Sequence, residues 1–423
     1  MINKAYKYRI YPNKIQQEIL EKHFGCVRFV FNWGLDKKIK TYQKDKKRLS
    51  CFDLSNELAK LKKEKNFEWL NEVNSQSLQM SLRNLDNAFT SFFRKQNKFP
   101  NFKSKKNNIN SFQIPQHLKL SDKLDLPKIK GIKIIQHRKL EGEIKTATVS
   151  KTPTNKYYIS ILVEQNKELP KKSKIKEKTT IGVDLGIKTF ATLSDGRKID
   201  NQKYLKNGLK KLKRQQQWLS RKVKGSNNRK KQIKKVSLIH EKISNQRSDF
   251  LHKFSFQLTH ENQVNSIAIE DLNVKGIIRN HCLAQAISDV SWSEFRRQLT
   301  YKTEWYGKNL LVIGRWEASS KACSCGQVNQ ELKLSDREWI CKECGTKHDR
   351  DILAANNIKR FALIPQGLRK STPLERTTVV GSLKEEARCL LGTGGSQINK
   401  KSKKNSSFTL GDNNARLAFF KRN

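Results

Sequence analysis

The sequence has no long hydrophobic run. Nowhere does it approach the roughly 18 consecutive apolar residues that a membrane-crossing helix requires, and its first residues, M-I-N-K-A-Y-K-Y-R-I, contain no signal-peptide core. A protein inside a prokaryotic cell, in cytoplasm or nucleoid and with no membrane partner, is expected. Acidic side chains are scarce as well: 39 Asp plus Glu face 87 Lys plus Arg, a formal net charge of +48 over 423 residues. Such an excess repels the folded chain against itself unless a polyanion neutralises it, which points to a large phosphate-bearing ligand. The bland alternative is a ribosomal or nucleoid protein with a solvated basic surface. Cysteines are thinly spread outside one stretch. Cys26, Cys51, Cys282 and Cys389 are scattered, whereas Cys323, Cys325, Cys341 and Cys344 crowd into 22 residues. In a cytosolic protein such a cluster is more often a metal site than a disulfide framework.

What is present is led by three short stretches: I-G-V-D-L-G-I-K at 181–188, I-A-I-E-D-L at 267–272 and H-D-R-D-I-L-A-A at 348–355. Residues 181–183 and 267–269 read as short buried strands ending at Asp184 and Glu270, where a sheet delivers side chains to its carboxyl edge. Asp351 opens an apolar helical stretch. A lone Asp at a strand end is usually a turn or cap residue. Three carboxylates brought together make a divalent-metal site, able to hold two Mg2+ (or Mn2+) roughly 4 Å apart around a phosphodiester.

With these motifs the chain resembles the TnpB family, transposon-encoded RNA-guided DNA nucleases related to type V CRISPR effectors. V-D-L-G-I-K-T-F-A-T-L-S-D-G looks like the first RuvC segment of that family, I-E-D-L the second and H-D-R-D-x-x-A-A-x-N-I the third. R-x-D-F-L-H-K at 247–253, S-D-x-S-W-S-E-F-R-R-Q-L at 288–299, Y-K-T-E-W-Y-G at 301–307 and S-S-K at 319–321 are further family-like strings, so the likeness runs from about residue 1 to 360. It implies an α/β RuvC (RNase H-like) nuclease domain with Asp184, Glu270 and Asp351 as catalytic metal ligands. It also implies a guide RNA encoded near the gene, a double-stranded DNA target with a short flanking motif, and a monomer within the ribonucleoprotein. One departure is Leu353, where the family often carries Asn; an Asn there is expected to buttress the metal site.

The cysteine cluster reads C-S-C-G, then C-K-E-C-G, which suits a tetrahedral zinc ribbon with a glycine after each knuckle. Its first knuckle is one residue shorter than the usual C-x-x-C, so ligand geometry is strained or His348 substitutes. The other possibility is a ribbon without metal that folds on Leu332, Leu334, Trp339 and Ile340.

Organisation follows composition. Residues 3–11 alternate as a strand that Pro12 and Asn13 end. Ile15, Ile19, Leu20, Val27, Phe31, Trp33 and Leu35, then Leu54, Leu58 and Leu61, then Leu78, Leu82, Leu85, Phe89, Phe92 and Phe93 recur at helical spacing. These aromatics are a helical core, or in part a base-stacking surface. G-I-K-I-I-Q, T-A-T-V-S and Y-Y-I-S-I-L-V-E read as later strands. The expected domains are a wedge-like β-barrel module (1–12 and 99–170), a helical recognition lobe inserted in it (13–98), a basic linker (171–178), the nuclease domain (179–320), the ribbon (321–347), a closing helix (348–362) and a disordered basic tail (363–423). Between Lys203 and Lys253, 17 Lys or Arg meet only Glu241 and Asp249 in two helices parted by a turn near Gly225. The one-signed excess fits phosphate contact. Candidate nucleic-acid contacts are Ser75 and Gln79 in the lobe, placed to read the flanking motif, with Arg247, Arg296, Arg297 and Arg350. A nuclease-inactive guided repressor and a DNA-strand-transfer transposase are the rival functions.

Overall fold

The computed structural model describes residues 1–105, 110–261, 263–333 and 335–364. The expected basic tail lies, apart from its first two residues, outside them. The described residues form two compact units, divided after Lys167. Among them no helix is long and apolar enough to cross a membrane.

In the first unit, β1 (Ile2–Tyr11) buries Tyr6, Tyr8 and Ile10 from alternate positions. Pro12 breaks it, and Asn13 starts α1 (Lys14–Asp45) through a capping box with Gln16. Helices α2 (Cys51–Leu61) and α3 (Ser75–Phe93) follow, α2 opened by a second capping box between Ser50 and Asp53. Leu20, Phe31, Leu35, Leu54, Leu58, Leu78, Leu82, Leu85 and Phe89 all enter one core, whereas Ile15, 69% exposed, and Phe93, 47% exposed, fall off the apolar faces. Gly34 lets α1 and α3 close up: a Cβ there would lie 2.8 Å from Leu82 Cδ2. The chain then returns through β2 (Asn110–Ile114), β3 (Lys119–Leu120), β4 (Lys123–Leu126), β5 (Ile129–Ile135), β6 (Glu143–Lys151) and β7 (Tyr157–Gln165). With β1 these make an antiparallel sheet in the order β2-β6-β7-β1-β5-β4-β3. The helices are thus an insertion between two neighbourhoods of one sheet. Among the described residues its edges β2 and β3 do not pair with each other, so the expected barrel is an open sheet in its hydrogen bonding.

The second unit is built on β8 (Thr180–Leu185), β9 (Thr189–Leu193), β10 (Lys198–Asp200), β11 (Ser266–Glu270) and β12 (Asn309–Ile313). Their order is β10-β9-β8-β11-β12, with β8, β11 and β12 parallel. Parallel strands need crossovers. The first is the helical pair α4 (Tyr204–Ser220) and α5 (Asn227–His260); the second runs through α6 (Val274–Ile277), α7 (His281–Val290) and α8 (Trp292–Trp305). One face of the sheet, carrying Ile181, Val183, Ile267 and Ile269, packs on Leu251, Phe254, Leu258, Phe295 and Leu299. Between β12 and the last helix, β13 (Glu338–Ile340) and β14 (Lys347–Asp349) form a small hairpin, and α9 (Arg350–Leu363) closes the other face. The expected linker is pinned to this unit: Ser173 accepts a hydrogen bond from Asn309 Nδ2 at 2.8 Å and donates its N–H to Gly307 at 2.9 Å.

Where α9 crosses β8 and β11 its face of the sheet carries very small side chains, whereas Ile313 on β12 packs against Ile358. Gly182 pairs with Ala268 across β8 and β11, and a Cβ at Gly182 would sit 2.0 Å from the carbonyl oxygen of Ala355. Replacing Gly182 with Ala should therefore drive α9 off the sheet and cost about 3 kcal/mol, seen as a lowered melting temperature and faster amide exchange in α9. Gly25→Ala in α1, where a Cβ meets nothing within 4 Å, should be neutral or gain up to about 1 kcal/mol from helix propensity.

Candidate active site and metal centre

Strand register brings two of the three expected acids side by side. Val183 pairs with Ile269 in parallel register, so Asp184 and Glu270 leave adjacent strands at the same level. Because side chains alternate along a strand, both lie on the face of Gly182 and Ala268, the face that α9 covers. A lateral row locates the third acid. Asp184 pairs with Thr192 and Thr192 with Lys198, and Lys198 Nζ lies 2.8 Å from Asp349 Oδ2. Asp349 in turn caps α9, accepting from the N–H groups of Asp351 and Ile352 at 3.0 and 3.1 Å. Asp351 therefore starts its helix at the end of the sheet where Asp184 and Glu270 emerge.

Electrostatics mark this end as unbalanced. Burial, then the charges of Asp184 and Asp271, push Glu270 up to about 8. Burial alone would raise Asp349 too, but Lys198 and the α9 amides hold it below the ordinary carboxylate value. Asp271 is likewise lowered, held first by Arg296 and also by Arg315, whose Nη2 is 2.6 Å from Oδ2. Arg337 approaches Asp351 at 3.7 Å. Half-buried carboxylates, of which Glu270 is repelled by Asp184 and Asp271, fit a hard divalent cation, which takes oxygen ligands. They are less tightly drawn together than the cysteines. Among the described residues, Cys323, Cys325, Cys341 and Cys344 are the one group of three or more ligating side chains with all ligand atoms within 4.8 Å of one another.

The four sulfurs fit zinc. Cys323 and Cys344 are 3.5 Å apart and Cys325 and Cys341 3.6 Å, against about 3.8 Å for tetrahedral bonds of about 2.3 Å. The short first knuckle thus reaches the cluster without a substitute ligand. His348 lies beside it instead, its Nε2 3.1 Å from Cys323 Sγ and its ring tilted against that of Trp339. Gly326 and Gly345 both take positive φ, at +99° and +69°, and turn the chain after each knuckle. Trp339 and Leu332 are buried here, but Ile340 is 62% exposed, because neighbours on strand β13 point to opposite sides. Leu334 lies outside the described residues.

Leu353 packs with Cys323, Leu332, Trp339 and Cys341. Two residues along a helix is about 200° of rotation, so position 353 faces the ribbon and not the side of Asp351. Leucine at this position serves the ribbon packing. Asn357 serves as the second anchor, donating to the carbonyls of Ser319 and Ala322 at 2.7 and 2.6 Å.

The candidate nucleic-acid contacts have varied surroundings. Arg247 points at buried Asp289, 3.1 Å away, which also receives the N–H groups of Leu205 and Lys206 at the start of α4. Arg296 is bound to Asp271 and Arg297 to Glu294. Arg350 extends toward the carbonyl of Lys333 at 3.5 Å. Ser75 and Gln79 are exposed one turn apart on α3, and Ser75 accepts from Lys62 at 2.9 Å. Sequence reasoning missed Lys198, Asp271, Asp289 and Arg315. The aspartate of I-E-D-L and that of S-D-x-S-W lay inside quoted motifs, but Lys198 and Arg315 are single cations among many and carry no distinguishing local pattern.

Known proteins resemble this chain over most of its length. A protein of Streptomyces pristinaespiralis named "Putative RNA-guided DNA endonuclease" is 39% identical over 402 residues, covering 92% of this chain and 98% of its own length. The chain belongs to the TnpB family. "Putative RNA-guided DNA endonuclease InsQ" of Escherichia coli K12 is 32% identical over 84% of this chain and 91% of its own length. The family model described as "Probable transposase" matches residues 160–281, and one described as "Cas12f1-like, TNB domain" matches residues 292–358. A third, described as "Helix-turn-helix domain", matches residues 1–47, which in this TnpB protein fold as β1 and the uninterrupted helix α1. The protein chain in a cryo-EM structure of a Cas12f1–sgRNA–target DNA complex shares the fold, with TM-score 0.51 and 13% identity over 85% of this chain and 98% of that one.

Two outcomes are expected of the site. Protein purified without chelator should carry about one zinc per chain by elemental analysis, and Cys344→Ser should lose most of it. Lys198→Ala should leave the ribbon loaded with zinc and cost no more than about 0.5 kcal/mol at the α9 cap, detected as faster amide exchange confined to the first turn of that helix.

Proposed function

We propose that this chain is an RNA-guided DNA endonuclease of a mobile element, cutting phosphodiester bonds with a RuvC-like site. Support comes first from the shared face: Asp184 and Glu270 emerge side by side and Asp351 begins α9 at the same end of the sheet. Membership of a family whose relatives carry RNA-guided endonuclease names adds to it. Asp184, Glu270 and Asp351 would hold Mg2+ or Mn2+, which supplies water activation and stabilises the leaving oxygen. The protein's own part is to present these acids on a rigid sheet end, screened by Lys198 and Arg337, with water kept from the side that α9 covers.

Selection of the target would be delegated to base pairing with a guide RNA encoded near the gene, while Ser75 and Gln79 on α3 read a short motif flanking the target. The basic hairpin α4–α5 would lie along the phosphates. Trp218, 42% exposed with Arg214 above its ring at 5.4 Å, gives that surface an aromatic plane as well as charge. The working particle would be a monomer on its RNA, in the cytoplasm or nucleoid, and guided cutting of a vacated donor site would favour retention of the element through repair.

Expression with the native flanking DNA, sequencing of co-purified RNA and cleavage of a randomised-flank plasmid library in Mg2+ test this. Depletion of particular flanks beside a guide-matched target, abolished in Asp184→Ala, is expected. Bound RNA and target without cutting would transfer the protein to the guided-repressor class, and joined strands in place of cut ends would make it a transposase. Neutralising Lys230, Lys231, Lys234 and Lys235 should weaken nucleic-acid binding and make it less salt-sensitive, the slope of log K against log salt falling by roughly 0.7–0.9 for each phosphate that is no longer neutralised.

A further inference from the structure

Of the seven tryptophans, Trp316 is the most exposed, at 53%. Tryptophan carries the largest apolar surface of any side chain, and leaving it in water needs a reason. Its position supplies one. Trp316 lies three residues past Ile313, the β12 residue in register with Glu270, and so follows the strand end at which the carboxylates emerge. Its neighbour Arg315 folds back on Asp271 through two contacts, Nη2 to Oδ2 at 2.6 Å and Nε to the carbonyl oxygen at 3.2 Å. Arg296 from α8 takes the other oxygen of the same carboxylate. The two guanidiniums keep 40% and 44% of their side chains exposed. One aspartate between two arginines holds both guanidiniums yet leaves one positive charge over, part-exposed, with the most exposed indole on the next residue of the chain after Arg315.

We infer that Trp316, Arg315 and Arg296 form a grip for single-stranded DNA next to the nuclease site: the indole stacks on one nucleobase of the strand being cut, and the guanidiniums neutralise the phosphate beside it. A duplex base is already stacked on both sides, so only an unpaired strand offers the face. Stacking is indifferent to sequence because every base has such a face. That suits a site whose target is chosen elsewhere by pairing. Asp271, next in sequence to Glu270, engages both arginines, so that their remaining charge is left for phosphate.

The inference rests on the nuclease reading, and the test separates the two. The full-length ribonucleoprotein is mixed with target DNA carrying 2-aminopurine at successive positions of the strand to be cut, on an Asp184→Ala background that preserves the strand. One position should be quenched, and adding Trp316→Ala should restore its fluorescence. In protein with Asp184 intact, Trp316→Ala should slow single-turnover cleavage about tenfold with target binding unchanged, while Trp316→Phe, which keeps a ring, should stay within about threefold of the parent. Cutting that proceeds normally in Trp316→Ala with an unchanged quenching profile overturns the grip and leaves the nuclease standing. Equal loss in the Ala and Phe variants also overturns it. Trp316-dependent quenching in a protein that cuts nothing overturns the nuclease reading and keeps the grip; neither quenching nor cutting overturns both.

Discussion

The close approach of α9 to the sheet governs the second unit. Gly182 and Ala268, opposite each other on the parallel strands β8 and β11, leave so little between backbone and helix that any side chain at Gly182 would strike the carbonyl of Ala355. That contact carries a late helix onto strands formed more than eighty residues earlier. It brings Asp351 to the end of the sheet where Asp184 and Glu270 emerge. Leucine or valine at either position would build a thicker, equally apolar interface and misplace the acid. Apolar burial alone would not have selected glycine; the close approach of the Ala355 carbonyl does.

Proximity of that kind is electrostatically uphill. Glu270, buried beside Asp184 and Asp271, holds its proton well above the ordinary range. The structure disperses the rest of the charge instead of cancelling it at the centre: Lys198 takes Asp349, Arg296 and Arg315 take Asp271, and Arg337 stands off from Asp351. Acids at the periphery are thereby satisfied, while Glu270 still feels the repulsion of Asp184. This division leaves repulsion at the centre of the sheet end and paired cations around its margin.

The ribbon takes part mechanically. Leu353 and Asn357 tie α9 to it through packing and through two short hydrogen bonds to the S-S-K loop, so cysteines that gather four sulfurs also hold the helix that carries Asp351. An atypical knuckle is tolerated because Gly326, in a left-handed conformation, turns the chain at once after Cys325. Position 353, which in the sequence looked like a weakened catalytic neighbour, belongs to this anchor.

Local pattern reached a long way into the fold. The alternation in residues 3–11, the apolar faces of the inserted helices, the basic pair around Gly225 and both short strands before Asp184 and Glu270 were legible because each depends on a period of two or of about 3.6 residues. The four cysteines were legible by spacing. Local pattern did not show that Ile15 and Ile340 face water, that the edges of the first unit's sheet stay unjoined among the described residues, or that Arg247 turns inward to Asp289. Each of these depends on which partner covers a residue, and a partner far away in the chain leaves no local mark. The sequence alone determined the kinds of chemistry available: three acids in order, four thiolates and a polyanion-seeking charge. Only the tertiary structure decided which cations stand beside which acids, as in the row Asp184–Thr192–Lys198–Asp349, because register and helix packing convert distances along the chain into distances in space.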